Sequence, residues 1–245
     1  MTPRITVAIA GRVLRQLRHD PRTVALLIVV PSVLVALLRY LLDGRPHAFD
    51  VLGPGLVGIF PLISMFLVSS ITVLRERTTG TLERLLTMPL AKLDILAGYA
   101  LAFGAFAVVQ AAVVSGVAFG LLGLDVQASP WAVCALAVGN AILGMALGLL
   151  VSAFASSEFQ AVQFLPAFVL PQLLLCGLFV PREQMARALD VASGALPLTY
   201  AYDSLHRLAV DGTLGSRGTL DVAVVAGASV LALGLGAATL RRRTG

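Results

Sequence analysis

The chain has 245 residues, of which 58% are hydrophobic and 13% charged, with a mean hydropathy of +0.92. Soluble domains carry roughly 25% charged residues, so the charge present is too sparse to clothe a soluble surface and places most of the chain in lipid. The formal charge of +5 raises nucleic acid as a partner, but all of the 18 basic residues except Lys92 are arginine and many flank apolar runs. That pattern excludes base recognition and fits membrane topology and contact with anionic lipid.

Taken in chain order, residues 1–22 place Arg4, Arg12, Arg15, Arg18, His19 and Arg22 on one arc of a helix, with Ile5, Val7, Ile9, Val13, Leu14 and Leu17 on the rest. No continuous apolar core leads to a small-residue cleavage site, so a signal peptide is not expected. The segment reads as an interfacial helix with Arg4, Arg12, Arg15, Arg18 and Arg22 turned to lipid phosphates. It would serve either as a topology anchor alone or as a contact for a cytoplasmic partner as well.

A bilayer core takes about 20 apolar residues in helical form. Six spans meet this, at about 23–42, 51–73, 96–122, 131–154, 159–180 and 221–240. Pro166 and Pro171 predict a kink or break in the fifth. The fold class is therefore an all-α polytopic membrane protein, with a single transmembrane domain over 1–245.

Six spans put both termini on one side. With the termini cytoplasmic, that side receives five arginines before the first span, four basic residues over 75–92 and three at 241–243. The other side receives six: Arg39, Arg45, Arg182, Arg187, Arg207 and Arg217. The positive-inside rule favours this arrangement. The segment 181–220 is then an extracytoplasmic loop, too polar to span. Within it Leu198, Tyr202, Leu205 and either Leu208 or Ala209 share a helical face, predicting a short amphipathic or re-entrant element packed at the outer surface. Cys134 and Cys176 fall inside apolar segments and read as small buried hydrophobes.

Searching for chemistry yields little. A Walker A loop needs Lys followed by Ser or Thr, and the one lysine precedes Leu93. A Gly-x-Ser-Gly nucleophile is absent, His19, His47 and His206 lie outside the spans, and Asp203 sits in a loop. No pair of carboxylates or metal-ligand set recurs on one helix face. Catalytic residues, a metal site and a cofactor in this chain are therefore not expected. An ion-coupled carrier would bury ionisable groups in its spans; here the interiors hold mainly Ser64, Ser69, Ser70, Gln110, Ser115, Asn140, Gln160, Gln163 and Gln172. These either join helices or line a pathway, and Ser64, Gln110, Asn140, Gln163 and Gln172 are the pathway candidates. Gly116-x-x-x-Gly120 and Gly144-x-x-x-Gly148 fit close helix packing. Without an internal ion relay, energy for transport would come from a partner.

One polar stretch interrupts the apolar pattern: RERTTGTLERLLTMP, Arg75 to Pro89. It carries Leu82, Leu85 and Leu86 as an apolar face among Arg75, Glu76, Arg77, Glu83 and Arg84, and Pro89 ends it. Such a helix either closes a hairpin at the interface or receives force from a cytoplasmic motor.

The longer segment RERTTGTLERLLTMPLAKLDILAGY (75–99) resembles the characteristic segment of type-2 ABC-transporter permeases, the daunorubicin-resistance group of exporters in particular. Arg75-Glu76-Arg77, Gly80-Thr81-Leu82-Glu83 and Pro89 carry the match, with Thr78-Thr79 as an extra pair. A second match is LPLTYAYDSL (Leu196 to Leu205), where Leu196 replaces the family's usual polar residue. The resemblance implies a permease subunit of an ATP-driven exporter in the plasma membrane, moving a hydrophobic or amphipathic compound such as a drug, antibiotic or lipid. It implies that 75–90 is a cytoplasmic coupling helix, with Arg75, Glu76, Arg77, Gly80, Thr81, Leu82, Glu83 and Arg84 docking on a separate ATP-binding subunit that holds ATP and Mg, and that Glu158 makes a smaller second contact. By the same resemblance the 181–210 region would form short outer helices between spans five and six that cap the export path, and a second permease subunit, identical or a sibling, would complete the pathway. An intramembrane enzyme and a non-transporting assembly protein are the competing readings.

Overall fold

The computed structural model describes residues 3–81, 84 and 92–239. Its elements are helical. α1 (Pro3–Arg18) leads into α2 (Pro21–Leu41) and α3 (Pro46–Thr78); α4 (Lys92–Gly120) and α5 (Pro130–Ser152) follow. The fifth span is assembled from α6 (Glu158–Phe164), a π turn (Leu165–Val169) and α7 (Leu170–Leu175). The short helices α8 (Arg187–Ser193) and α9 (Pro197–Asp211) precede α10 (Gly215–Thr239). Six of the described segments are long and apolar enough to cross a membrane: Pro21–Leu41, His47–Thr78, Leu93–Gly120, Pro130–Ser152, Glu158–Leu175 and Gly215–Thr239.

The helix starts follow local chemistry. Proline opens α2, α3, α5 and α9, where its missing N–H belongs to the unpaired first turn anyway. Asp20 adds a side-chain cap, accepting from the Thr23 N–H at 3.2 Å and the Thr23 hydroxyl at 2.7 Å. The expected break in the fifth span falls at Pro166 and Pro171: the Leu170 N–H reaches back to Leu165 O, five residues away, through the π turn between the two prolines. The regular part of this span stops at Leu175, short of the 180 expected, because Cys176–Val180 bends through Gly177 at φ +99°.

α3 is the axis of the bundle. Its 33 residues reach about 50 Å at 1.5 Å per residue, well beyond a hydrocarbon core of roughly 30 Å. It therefore projects past the apolar layers at the end of the bundle where α1 lies. The apolar span expected to end at 73 continues into the polar stretch: Arg75, Glu76 and Arg77 form the last turn of α3 itself. Helix propensity carries through a run of Arg and Glu as readily as through an apolar one.

Three apolar layers stack along α3. At the α1 end, Ile9, Val13 and Leu17 pack on Val68, Ile95, Tyr99 and Met145. In the middle, Ile59, Leu62 and Phe66 meet Leu143, Leu147 and the α9 residues Leu198 and Tyr202. At the far end, Val35, Phe49 and Val114 surround Leu205 and Leu208. The face expected on α9 is thus the buried one: Leu198, Tyr202, Leu205 and Leu208 all lie inside. α9 is lodged in the bundle rather than laid on it, and Asn140 of α5 donates from Nδ2 to Ala201 O at 3.2 Å to hold it there.

Candidate functional site

The polar residues at the α1 end converge on the last turn of α3. Glu76 is 3% exposed and accepts two hydrogen bonds from the Arg12 guanidinium, from Nη1 at 3.1 Å and from Nη2 at 2.8 Å. The Tyr99 hydroxyl donates to the same carboxylate and accepts from Arg12 Nη2 at 3.0 Å. A carboxylate removed from water is tolerated only with such full pairing, and the bidentate fork fixes its geometry. This joins α1, α3 and α4 at one point.

The neighbouring arginines complete the anchorage. Arg75 makes a bidentate contact with Glu158 at the start of α6, 3.0 Å from Nε and 3.2 Å from Nη2. Arg77 donates from Nη1 to Ser152 O at 2.6 Å, covering a carbonyl at the C-terminal end of α5 that no helical N–H reaches. Three successive side chains therefore tie α3 to α1 and α4, to α5, and to α6. Gly80 then turns the chain at φ +73°, a conformation that favours glycine, and the Arg84 N–H bonds to Gly80 O at 3.1 Å.

This placement corrects two expectations. Arg12 shares the helical arc of Arg4, Arg15, Arg18 and Arg22, which are exposed, yet its head turns inward to Glu76. Glu76, expected to face a partner, is enclosed within the chain, and Arg75, Arg77 and Glu158 are engaged by their own neighbours. Gly80, Thr81 and Arg84 lie at the start of the connector. Leu82 and Glu83, together with Leu85, Leu86 and Pro89, lie outside the described residues. The contribution of Tyr99 is not visible in its spacing, although it closes the quoted segment.

The pathway candidates separate by surroundings. Gln110 is fully buried and donates from Nε2 to Leu27 O at 2.8 Å. Leu27 is four residues before Pro31, which has no N–H to give; Gln110 supplies the donor that proline removed. Ser64 bonds Phe60 O within its own helix, and Gln172, also buried, bonds Phe168 O. Asn140 serves α9. Gln163 is exposed on the fifth span. Gln110→Leu is expected to destabilise by about 1–2 kcal/mol, and adding Pro31→Ala should recover most of this by returning a backbone N–H. Unfolding in detergent measures the cycle; equal losses with and without Pro31 would show that the carbonyl is not the reason for the amide. Among the described residues no three His, Cys, Asp or Glu side chains converge to hold a metal.

An apolar bundle of six helices long enough to span, with the polar last turn of α3 anchored to its neighbours, defines a multi-pass membrane protein. A family model described as ABC-2 type transporter matches residues 5–208. The chain belongs to this family, as a membrane subunit of the transporter type. It is similar to ABC transporter G family member 20 of Dictyostelium discoideum, 25% identical over 171 residues, covering 69% of this chain and 23% of the relative. It is 33% identical over 137 residues to the probable multidrug ABC transporter permease YbhR of Escherichia coli, covering 54% of this chain and 36% of the relative. A third relative, the probable multidrug ABC transporter permease YbhS of E. coli, is 22% identical over 191 residues, covering 78% and 51%. The chain thus spans about half or less of the length of these curated relatives.

Proposed function

We propose that this chain is the permease subunit of an ATP-driven exporter in the plasma membrane, with both termini cytoplasmic. A separate ABC subunit binds ATP and Mg, and a second permease subunit completes the pathway. The observation that carries this reading is the triple anchorage of the α3 end: Glu76 on Arg12 and Tyr99, Arg75 on Glu158, and Arg77 on Ser152 O. A force on the connector that follows would reach α1, α4, α5 and α6 together.

The docking surface is then the connector from Gly80 through Arg84, including Leu82 and Glu83, while Arg75, Glu76, Arg77 and Glu158 transmit its movement. Export follows when that movement changes cargo affinity between inward and outward states. The apolar spans and the multidrug names of the two E. coli relatives support a hydrophobic or amphipathic cargo.

Glu83→Lys tests the assignment. The variant is expected to insert normally but to lose most ATP-dependent export, and to lose the co-purifying ATPase, because a charge-assisted contact becomes a repulsion. Export at the parental rate would sink the docking assignment. An intact chain that brings down no ATPase would favour an assembly protein instead.

A further inference from the structure

At the end of the bundle opposite α1, a cavity of about 590 Å³ opens between the start of α3, the bend after α7, and α8, α9 and α10. Its inner wall is Tyr202, which is 5% exposed. The ring is seated against Gly55, where a Cβ would come within 2.7 Å of it, and runs alongside Gly177. It stacks on His206 with centroids 5.5 Å apart and planes 21° from parallel. Among the described residues, the Tyr202 hydroxyl makes no hydrogen bond, and the buried Nδ1 of His206 has no partner either. Burial pushes the Tyr202 phenol up to about 12, with Cys176 and Asp203 adding to the shift, so it keeps its proton. The Tyr202 hydroxyl is thus left for something that enters, while the His206 nitrogen is sealed from it.

The charges around that corner select what enters. Arg182 is shared between Asp190 at 3.0 Å and Asp203 at 3.4 Å, and Arg207 is held by Asp221 at 3.2 Å. Asp190 and Asp203 line the cavity with both arginines, and the buried Asp221 is not part of its lining. The exposed Glu183, Asp211 and Arg217 complete the charged lining, which holds four carboxylates and three arginines. The cavity is net negative on a chain whose formal charge is +5. Val51, Leu52, Leu178 and Val210 supply apolar lining. Burial holds the Asp203 carboxyl above the usual carboxylate range, Arg182 opposing that shift and Asp221 reinforcing it. A further anion would raise this cost; a cation would relieve it.

We propose that this cavity binds an amphipathic organic cation: a protonated amine carrying an aromatic or apolar body. The ammonium donates to the Tyr202 oxygen and sits in the field of the one surplus carboxylate, while the body lies along Val51, Leu178 and the stacked rings. The site is a property of this chain alone and stands or falls independently of the transport reading.

Calorimetric titration of the full chain in zwitterionic nanodiscs tests it, using 2-naphthylmethylammonium as the probe and 2-naphthoate as its anionic counterpart, with empty nanodiscs subtracted. The cation is expected to bind saturably at one site per chain, and at least about tenfold more tightly than the anion, a difference of 1.4 kcal/mol. The double variant E183Q/D211N alters exposed residues with no side-chain partner among the described residues and so leaves folding intact; it is expected to weaken cation binding about tenfold. Tyr202→Phe keeps the ring against Gly55 and is expected to weaken it severalfold. Equal binding of the two probes, no saturable binding of the cation, or unchanged affinity in both variants would each overturn the proposal.

Discussion

Arg12→Ala is expected to destabilise the chain by about 3 kcal/mol, and Glu76→Gln by only about half as much. The asymmetry follows from burial: the Glu76 side chain is 4% exposed, while that of Arg12 is 32% exposed. Removing the arginine strands a carboxylate that water does not reach, supported by the Tyr99 hydroxyl alone. Removing the charge of Glu76 leaves a guanidinium that can turn back towards solvent along its flexible stem. The double variant should cost less than the sum of the two, because the second change removes the stranded group created by the first. Unfolding of the purified variants in detergent, followed by circular dichroism, gives the three values. If Arg12→Ala costs no more than Glu76→Gln, α1 is held by its apolar contacts and the ion pair is incidental.

That pair also marks where sequence reasoning stops. Helical periodicity assigns Arg12 to a polar arc, but it says nothing of what lies opposite, and Glu76 is 64 positions away. The sequence turns Arg12 towards lipid phosphates, whereas its head turns inward to Glu76. The same limit applies to Gln110, a lone amide in an apolar run that reads equally as glue or as pathway. A signal was available there: Pro31 inside a span leaves an orphan carbonyl at Leu27, and an orphan in lipid demands a donor from a neighbouring helix. What sequence alone does carry well is local. The apolar runs mark six spanning helices, the prolines mark several helix starts and the break in the fifth span, and the spacing of Leu198, Tyr202, Leu205 and Leu208 marks the inward face of α9. Each of those rests on residues within a few turns of one another. The tertiary partners do not.

The glycine pairs show the same divide and give the sharpest packing prediction. Gly116-x-x-x-Gly120 and Gly144-x-x-x-Gly148 are indistinguishable as motifs, yet only the second sits at a close helix crossing. A Cβ on Gly144 would overlap the Leu62 carbonyl of α3, and one on Gly148 would overlap the Phe66 carbonyl and the Ser69 hydroxyl. Ser69 uses that proximity to donate to Met145 O at 3.1 Å, across the crossing. Gly116 and Gly120 have nothing within 4 Å of the added carbon. Gly144→Ala and Gly148→Ala are each expected to cost up to about 3 kcal/mol, the upper range for overpacking, because the obstacles are backbone atoms that cannot rotate aside. Gly116→Ala and Gly120→Ala should stay within about 0.5 kcal/mol or stabilise slightly, since alanine restricts the unfolded chain more than glycine does. Since α3 carries the anchored turn at Arg75, Glu76 and Arg77 at one end and part of the cavity wall near the other, parting it from α5 is expected to loosen both. Equal effects from the two pairs would mean that the α3–α5 crossing does not set the stability of the bundle.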